Sequence, residues 1–339
     1  MRLVVFKPNA ESTANWRIGA WLGGQIGDLD GACDHYCSEK RMPLPGVFAG
    51  RFPASLLELL KLEQPGLDFA GKLVDWLSHL GPEGTQASGP AGQPLLRPAQ
   101  DCTIDAPLRP GKLITLARNY REHLAESGVT HVGSVPSASI KASSSIVGPY
   151  HDIVRPGVEA QLDYETELAV VIGVRCKNVP AHEAYRVIAG YTVLSDIIAR
   201  QVLKIERDAG NQFLGKMFDT FGPLGPCLVT KDEIEDPMNL MISTRVNGEV
   251  RQHSNTRQMI WAIPELIAYF SQATLEPGDI ISTGTPAGVA AGRKPHETPW
   301  YLQPGDVIES EVEHIGLLRN RIVQETSQAA TWNWNTQPA

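Results

Sequence analysis

Asp163-Tyr-Glu-Thr-Glu-Leu-Ala-Val-Val-Ile-Gly173 is the stretch on which the reading of this chain turns. Its second half is continuously apolar and rich in β-branched residues, the composition of a strand. The apolar run ends at Val174, far short of the roughly 20 residues that a membrane-crossing helix needs. Along a strand alternate residues share a face, so Glu165 and Glu167 project to the same side at its mouth. Two carboxylates so placed repel each other unless a cation neutralises them. The alternative is an edge strand whose solvated face carries both glutamates. The pattern alone leaves both readings open.

A third carboxylate, Asp196, ends a second apolar segment, Gly190-Tyr-Thr-Val-Leu-Ser-Asp196, at the C-terminal edge of a strand. Three carboxylates without Cys or His favour a hard cation, Mg²⁺ or Mn²⁺, with positions left for substrate and water. Ca²⁺ is equally hard and can take the same place in crystals. Further strands are expected at 112–117, 189–195, 240–246, 279–283 and 307–312, with turn residues between them. A helix is expected at 264–271, where Ile263, Ile267 and Phe270 share a face. Leu275-Glu-Pro-Gly-Asp-Ile-Ile281 and Leu302-Gln-Pro-Gly-Asp-Val-Ile308 are near-copies of one turn. Pro-Gly supplies the backbone of a type II turn, so each should lead into a strand. Two copies are too few for a repeat array and point to a β-roll or barrel.

Towards the N-terminus the pattern changes. Residues 1–72 read as short strands, a polar turn-rich patch around 23–31, and helical stretches near 54–61 and 71–80. Residues 81–100 are rich in Gly, Pro and Ser, the composition of a linker or loop. The expected organisation is therefore a small α+β domain with its linker over 1–100, a mostly β catalytic domain over 101–325, and an irregular tail over 326–339. The chain of 339 residues is long enough for such a division and for a substantial core. Lys+Arg of 30 against Asp+Glu of 38 gives a net charge of −8. With no basic stripe, nucleic acid is not an expected partner, and no segment suggests a membrane. Met1-Arg-Leu-Val-Val-Phe-Lys reads as a strand without the features of a signal peptide. Five scattered cysteines form no zinc-binding spacing and suit reduced thiols in the cytoplasm.

No Gly-x-Gly-x-x-Gly, Walker, Gly-x-Ser-x-Gly or His-Glu-x-x-His motif is present. Chemistry therefore falls to carboxylates, a histidine and their basic neighbours. In Arg118-Asn-Tyr-Arg-Glu-His123-Leu-Ala-Glu126, His123 and Glu126 stand three apart and are neighbours on a helix. A carboxylate beside an imidazole orients it and raises its basicity, as a general base requires. The same spacing also occurs on ordinary surface helices. Lys216, among apolar and turn residues, suits an oxyanion or a substrate carboxylate, or a surface lysine with a buried stem. Arg200 lies one turn past Asp196 if that segment is helical, and can bind a carboxylate or pair with the acids. Thr285, in Gly284-Thr-Pro-Ala-Gly288, can offer its hydroxyl to a ligand or form a plain turn.

Taken together, these segments resemble the fumarylacetoacetate hydrolase family over roughly residues 107–323. The motifs run in order through 117–126, 163–173, 190–196, 215–226, 274–289 and 302–320. The resemblance implies the family's mixed β-roll domain, a homodimer, and metal ligands at Glu165, Glu167 and Asp196. It implies a water-activating pair at His123 and Glu126, an oxyanion lysine at Lys216, and substrate contacts at Arg118, Tyr120, Arg200 and Thr285. Gln201, Met217 and Ala117 depart from the family's usual residues, and the first two are expected to reshape the substrate pocket. The implied reaction is hydrolysis of a carbon–carbon bond in a 2,4-dioxo acid or β-diketone. Decarboxylation of oxaloacetate, or isomerisation of a 2-oxo acid, would use the same enolate-stabilising metal. A non-catalytic metal- or ligand-binding domain is the reading from another class. The stretch 127–136 after the dyad is expected to form a lid over a small oxo-acid substrate.

Overall fold

The computed structural model describes residues 1–10, 15–80, 88–89, 92–294 and 300–326. Nine of the twenty residues of the expected linker (81–87 and 90–91) and nearly all of the expected tail (327–339) lie outside the described residues. Thr166–Ile172 is a central strand, not an edge. It pairs with Ile188–Ser195 on one side and with Ile280–Ser282 on the other. All seven of its residues are buried. Leu168, Val170 and Ile172 enter one hydrophobic cluster, while Ala169 and Val171 enter a second. A strand covered on both faces reads as a near-continuous apolar run, which explains the stretch Leu168–Ile172. The edge-strand reading of Glu165 and Glu167 is thereby excluded.

The main sheet has twelve strands among the described residues. Its path runs from Leu96–Pro98 through the N-terminal strands to Arg2–Pro8, then Gly222–Thr230, Ile188–Ser195, Thr166–Ile172, Ile280–Ser282, Leu113–Ala117 and Ser137–Lys141. It is open, with different strands at its two ends and no barrel closure. A second sheet of five strands is ordered Glu249–Asn255, Met241–Val246, Val307–Val312, Gly316–Gln324, Ile153–Arg155. Ile242, Val312 and Leu318 of this sheet share a core with Leu168, Val170, Val193 and Val229 of the first. The opposite face of the main sheet is covered by Leu29–Glu39, Leu56–Leu60 and Glu63–His79, whose Leu29, Leu59, Leu73 and Leu77 pack with Ala169, Val171 and Leu224. The chain is thus a strand-rich α+β molecule. Among the described residues no helix is long and apolar enough to cross a membrane.

Both Pro-Gly-Asp turns lead into strands as expected. Gly278 and Gly305 adopt φ of +86° and +100°, which only glycine takes without strain. In each, the following aspartate accepts the amide three residues before it, Glu276 N at 2.8 Å and Gln303 N at 2.7 Å. The turn-rich patch at 23–31 is different. Gln25–Asp28 is a strand, and Leu29–Glu39 is a helix capped by Asp28, whose carboxylate accepts the Gly31 amide. The third helix is longer than 71–80, spanning Glu63–His79. The C-terminal strand Gly316–Gln324 runs almost to the start of the expected tail.

The N-terminal strands do not form a sheet of their own. Arg2–Pro8 pairs antiparallel with Gly222–Thr230, with Arg2 opposite Val229 and Leu3 opposite Leu228, so hydrogen bonding runs across the boundary expected near residue 100. A chain beginning at residue 101 would expose Leu224, Leu228, Ala169 and Val171, which the N-terminal helices cover. It should aggregate or lack a cooperative melting transition, whereas the full chain should melt cooperatively. A soluble, cooperatively melting 101–326 fragment would show that the catalytic half is self-sufficient.

Candidate metal centre and catalytic cavity

The register of two strands assembles the carboxylates. Thr166 stands opposite Ser195, and the Asp196 amide donates to the Glu165 carbonyl at 2.8 Å. Asp196 therefore lies directly across from Glu165, with Glu167 two residues along the same face. Ligand oxygens of Glu165, Glu167 and Asp196 lie within 4.8 Å of one another, and all three residues are buried. Glu167 is fully buried; one oxygen accepts from the Ser282 hydroxyl and from the Gly284 amide at 3.1 Å. Its other oxygen, Oε1, is buried without a hydrogen-bond partner. Burial, then repulsion by Asp196 and Glu165, raises the Glu167 pKa well above the carboxylate range.

Cations of the chain offset part of this charge. Lys216 Nζ donates to Asp196 at 2.5 Å and lies 3.8 Å from Glu165. Lys141, which nothing in the sequence singled out, is completely buried with its ammonium 3.0 Å from Asp196. It also donates to the carbonyls of Phe221 (2.9 Å), Ile197 (3.3 Å) and Lys216. Burial works against the charged form of Asp196, but the two ammonium groups outweigh it and lower its pKa. Arg200 bridges Asp163 at 2.8 Å and Glu165 at 2.7 Å. Its fork is thus committed to orienting a candidate ligand. Asp163 is fixed in turn by the amides of Ala290 and Ala291.

The cluster adjoins a cavity of about 630 Å³, lined by Arg118, His123, Glu126, Glu165, Arg200, Lys216 and Thr285 among others. His123 and Glu126 lie on the short helix Arg121–Glu126. Glu126 Oε2 is 3.1 Å from His123 Nδ1, and its Oε1 accepts the Gly288 amide at 2.9 Å. That pairing makes Nδ1 the protonated nitrogen and leaves Nε2 as the basic one. A Cβ on Gly292 would fall 2.2 Å from the Glu126 carboxyl carbon, so the dyad needs glycine there. The Thr285 hydroxyl donates to the Thr166 carbonyl at 3.0 Å and accepts from Gln252 at 2.8 Å. Its proton is therefore already in use, which leaves it an acceptor towards any ligand.

Tyr120 corrects the expectation of a substrate contact. It is fully buried in the core between the sheets and lines no part of the cavity. Arg118 takes φ of +54° after the strand Leu113–Ala117, which turns its own side chain to the cavity and the next two residues inward. Asn119 fastens this turn, bonding Trp261 through both amide atoms and Thr283 through its nitrogen. Gln201 and Met217, expected to reshape the pocket, do not line it; Gln201 accepts the Ala160 amide instead. Ser127 and Gly128, at the start of the expected lid, do line it.

Residues 112–323 match the family model described as fumarylacetoacetate (FAA) hydrolase, C-terminal. The chain belongs to the fumarylacetoacetate hydrolase family. It is 47% identical over 325 residues to rat mitochondrial oxaloacetate tautomerase Fahd2a, covering 95% of this chain and 92% of the relative. Among solved structures, Sphingobium maleylpyruvate hydrolase in complex with manganese(II) and pyruvate superposes with a TM-score of 0.68 at 27% identity, covering 96% and 100% of the two chains. A Mycobacterium smegmatis 5-carboxymethyl-2-hydroxymuconate delta-isomerase superposes at 0.59 with 36% identity, covering 68% and 86%. The chain is an enzyme of this family, and its buried acidic triad fits a divalent cation.

The unpartnered oxygen of Glu167 gives a test of the cation's place. Its pKa is raised in the fold above the ordinary 4.5, so the stability that its protonated form carries is complete below that pH. That stability is lost as pH rises through the folded value. Without metal, wild type should lose melting temperature relative to Glu167→Gln between pH 5 and 8. Added Mn²⁺ should restore wild type most at the alkaline end and the variant little. Equal, pH-independent stabilisation of both proteins by Mn²⁺ would remove Glu167 from the site.

Proposed function

We propose that this chain interconverts the keto and enol forms of a small 2-oxo acid of the oxaloacetate type, with the divalent cation at Glu165, Glu167 and Asp196. The observation that carries this reading is the pairing, on one cavity, of a base held in one tautomer with a buried carboxylate cluster retaining an uncommitted oxygen. A bound cation would supply Lewis acidity towards an enolate oxygen. His123 Nε2 removes the proton from the carbon next to the keto group and returns it in the reverse direction. Glu126 keeps the ring in register and stabilises its protonated form. Lys216 offers a donor to the oxygen on which the enolate charge collects, and that oxygen takes up a proton to complete the enol.

The sequence alone favoured hydrolysis of a carbon–carbon bond. The near full-length similarity to a relative named oxaloacetate tautomerase supports proton transfer better. Hydrolysis is the second reading, because the likeness to a maleylpyruvate hydrolase spans the whole chain and the same dyad can activate water.

The deciding assay follows oxaloacetate enol decay by ultraviolet absorbance with Mg²⁺ or Mn²⁺, alongside acylpyruvate cleavage and pyruvate release from oxaloacetate. Metal-dependent acceleration of the enol–keto step, abolished by chelator, is expected. His123→Ala should lower it by about 10²- to 10⁴-fold, the range for loss of a positioned acid–base. Gly292→Ala should lower it by about tenfold or more by displacing Glu126. Fast acylpyruvate cleavage without enol–keto acceleration would replace tautomerisation by hydrolysis.

A further inference from the structure

The cavity carries cationic groups that the reaction just described leaves idle. Arg200 is neutralised by Asp163 and Glu165, and Lys216 by Asp196. Arg118 and Arg207 also line the cavity, yet neither has a carboxylate within ion-pairing distance among the described residues. The Arg207 guanidinium instead donates twice to one neutral oxygen, Gln212 Oε1, from Nε at 3.3 Å and Nη2 at 3.0 Å. That arrangement sets the plane of the fork and leaves Nη1 and the second hydrogen of Nη2 as an end-on pair of donors.

Neither acid beside it in sequence compensates Arg207: Asp208 forms no ion pair with it among the described residues. Glu206 is spent on the turn that follows the helix Arg200–Asp208, accepting the amides of Leu214 (2.6 Å), Gly215 (2.9 Å) and Phe213 (3.1 Å). The same turn carries Gln212 at one end and Lys216 at the other. The fork that holds Arg207 is therefore built into the segment that places the inner lysine. Partial burial, then repulsion from Arg200 and Arg118, lowers the Arg207 pKa. Like charges are held together here at a cost that a bound anion would relieve.

We propose that Arg207, oriented by Gln212 and joined by Arg118, is the specificity-determining group that receives a second carboxylate, at the end of the substrate remote from the metal. This rests on the proposed 2-oxo acid chemistry and adds to it the residue that reads the second carboxylate of an oxaloacetate-type substrate. A guanidinium with its plane fixed suits a carboxylate because two parallel N–H donors match two oxygens.

The test uses malate and lactate, two 2-hydroxy acids of which only malate has a distal carboxylate, titrated calorimetrically into the Mn²⁺-loaded protein. Wild type should bind malate at least tenfold more tightly than lactate. Arg207→Gln should lose most of that preference with lactate affinity unchanged, Arg207→Lys should keep part of it, and Gln212→Leu should weaken it. Arg207 is solvent-exposed, so these variants should keep the wild-type melting temperature, measured in parallel. A malate-to-lactate ratio unchanged in Arg207→Gln overturns the assignment, as does a wild type that does not discriminate. The proposed reaction is judged separately by the enol–keto assay on wild type. Loss of discrimination in Arg207→Gln supports the subsite even if oxaloacetate is not turned over, and turnover without discrimination leaves the reaction standing without the subsite.

Discussion

Three carboxylates share a site inside a sheet that is covered on both faces, and the placement of the other charged groups answers to that constraint. Each acid moved from water into such surroundings carries a desolvation penalty of several kcal/mol, which contacts of good geometry must offset. Cross-strand register brings Glu165, Glu167 and Asp196 together and cannot be relaxed without shifting strands packed on both sides. The compensation comes from outside these two strands. Lys141 arrives from the edge strand Ser137–Lys141, Lys216 from the turn before Gly222–Thr230, and Arg200 from a helix start. Lys141 also ties together the backbone at Ile197, Lys216 and Phe221. One buried ammonium thus fixes three segments around the site.

The cavity side is built differently. Its groups sit on the short helix Arg121–Glu126 and on turns where backbone geometry is unusual. Arg118 has φ of +54°, Gly284 of +85° and Gly288 of +105°. A Cβ at Gly288 would lie 2.1 Å from the Arg251 carbonyl, and one at Gly292 would strike Glu126. Close approach of backbone to backbone is what allows the Gly288 amide to hold Glu126, and through it His123. A rigid sheet fixes the acids, and closely fitted turns hold the short helix that presents the proton-transferring groups.

How much of this was legible depends on how local the signal was. The strands around the acids were readable because burial on both faces leaves an unbroken apolar run, and because Glu165 and Glu167 alternate. The His123–Glu126 contact follows from helical spacing alone. Tyr120 was misplaced because the positive φ at Arg118 reverses which side of the chain faces the cavity, and nothing in the local residue types announces it. Lys141 lies in Ile140-Lys-Ala-Ser, a context that reads as surface; only the tertiary approach of Asp196 buries it. The helix Leu29–Glu39 was obscured by Gly23, Gly24, Gly27 and Gly31. It forms because Leu29, Ala32 and Cys33 find an apolar face to cover, a tertiary effect that outweighs local propensity.

The two halves of the cavity place different demands on a substrate. At the inner end an excess of acid, partly offset by lysines, favours a cation and hence a chelating oxo-acid head. Elsewhere on the lining the guanidiniums of Arg118 and Arg207 are uncompensated by any ion pair among the described residues and favour an anion. A small molecule satisfying both carries a chelating head and a charged tail. Forming its enolate adds one negative charge at the head, beside Lys216, while the tail's charge is unchanged. Cleavage of a carbon–carbon bond would add a tetrahedral oxyanion further from the head as well, and that oxyanion would need its own donor. Lys216 is committed to Asp196, Arg200 to Asp163 and Glu165, and the Thr285 proton to Thr166. Of these, the Lys216 ammonium, which carries three N–H groups, keeps a donor to spare, and that is enough for the one developing charge of proton transfer.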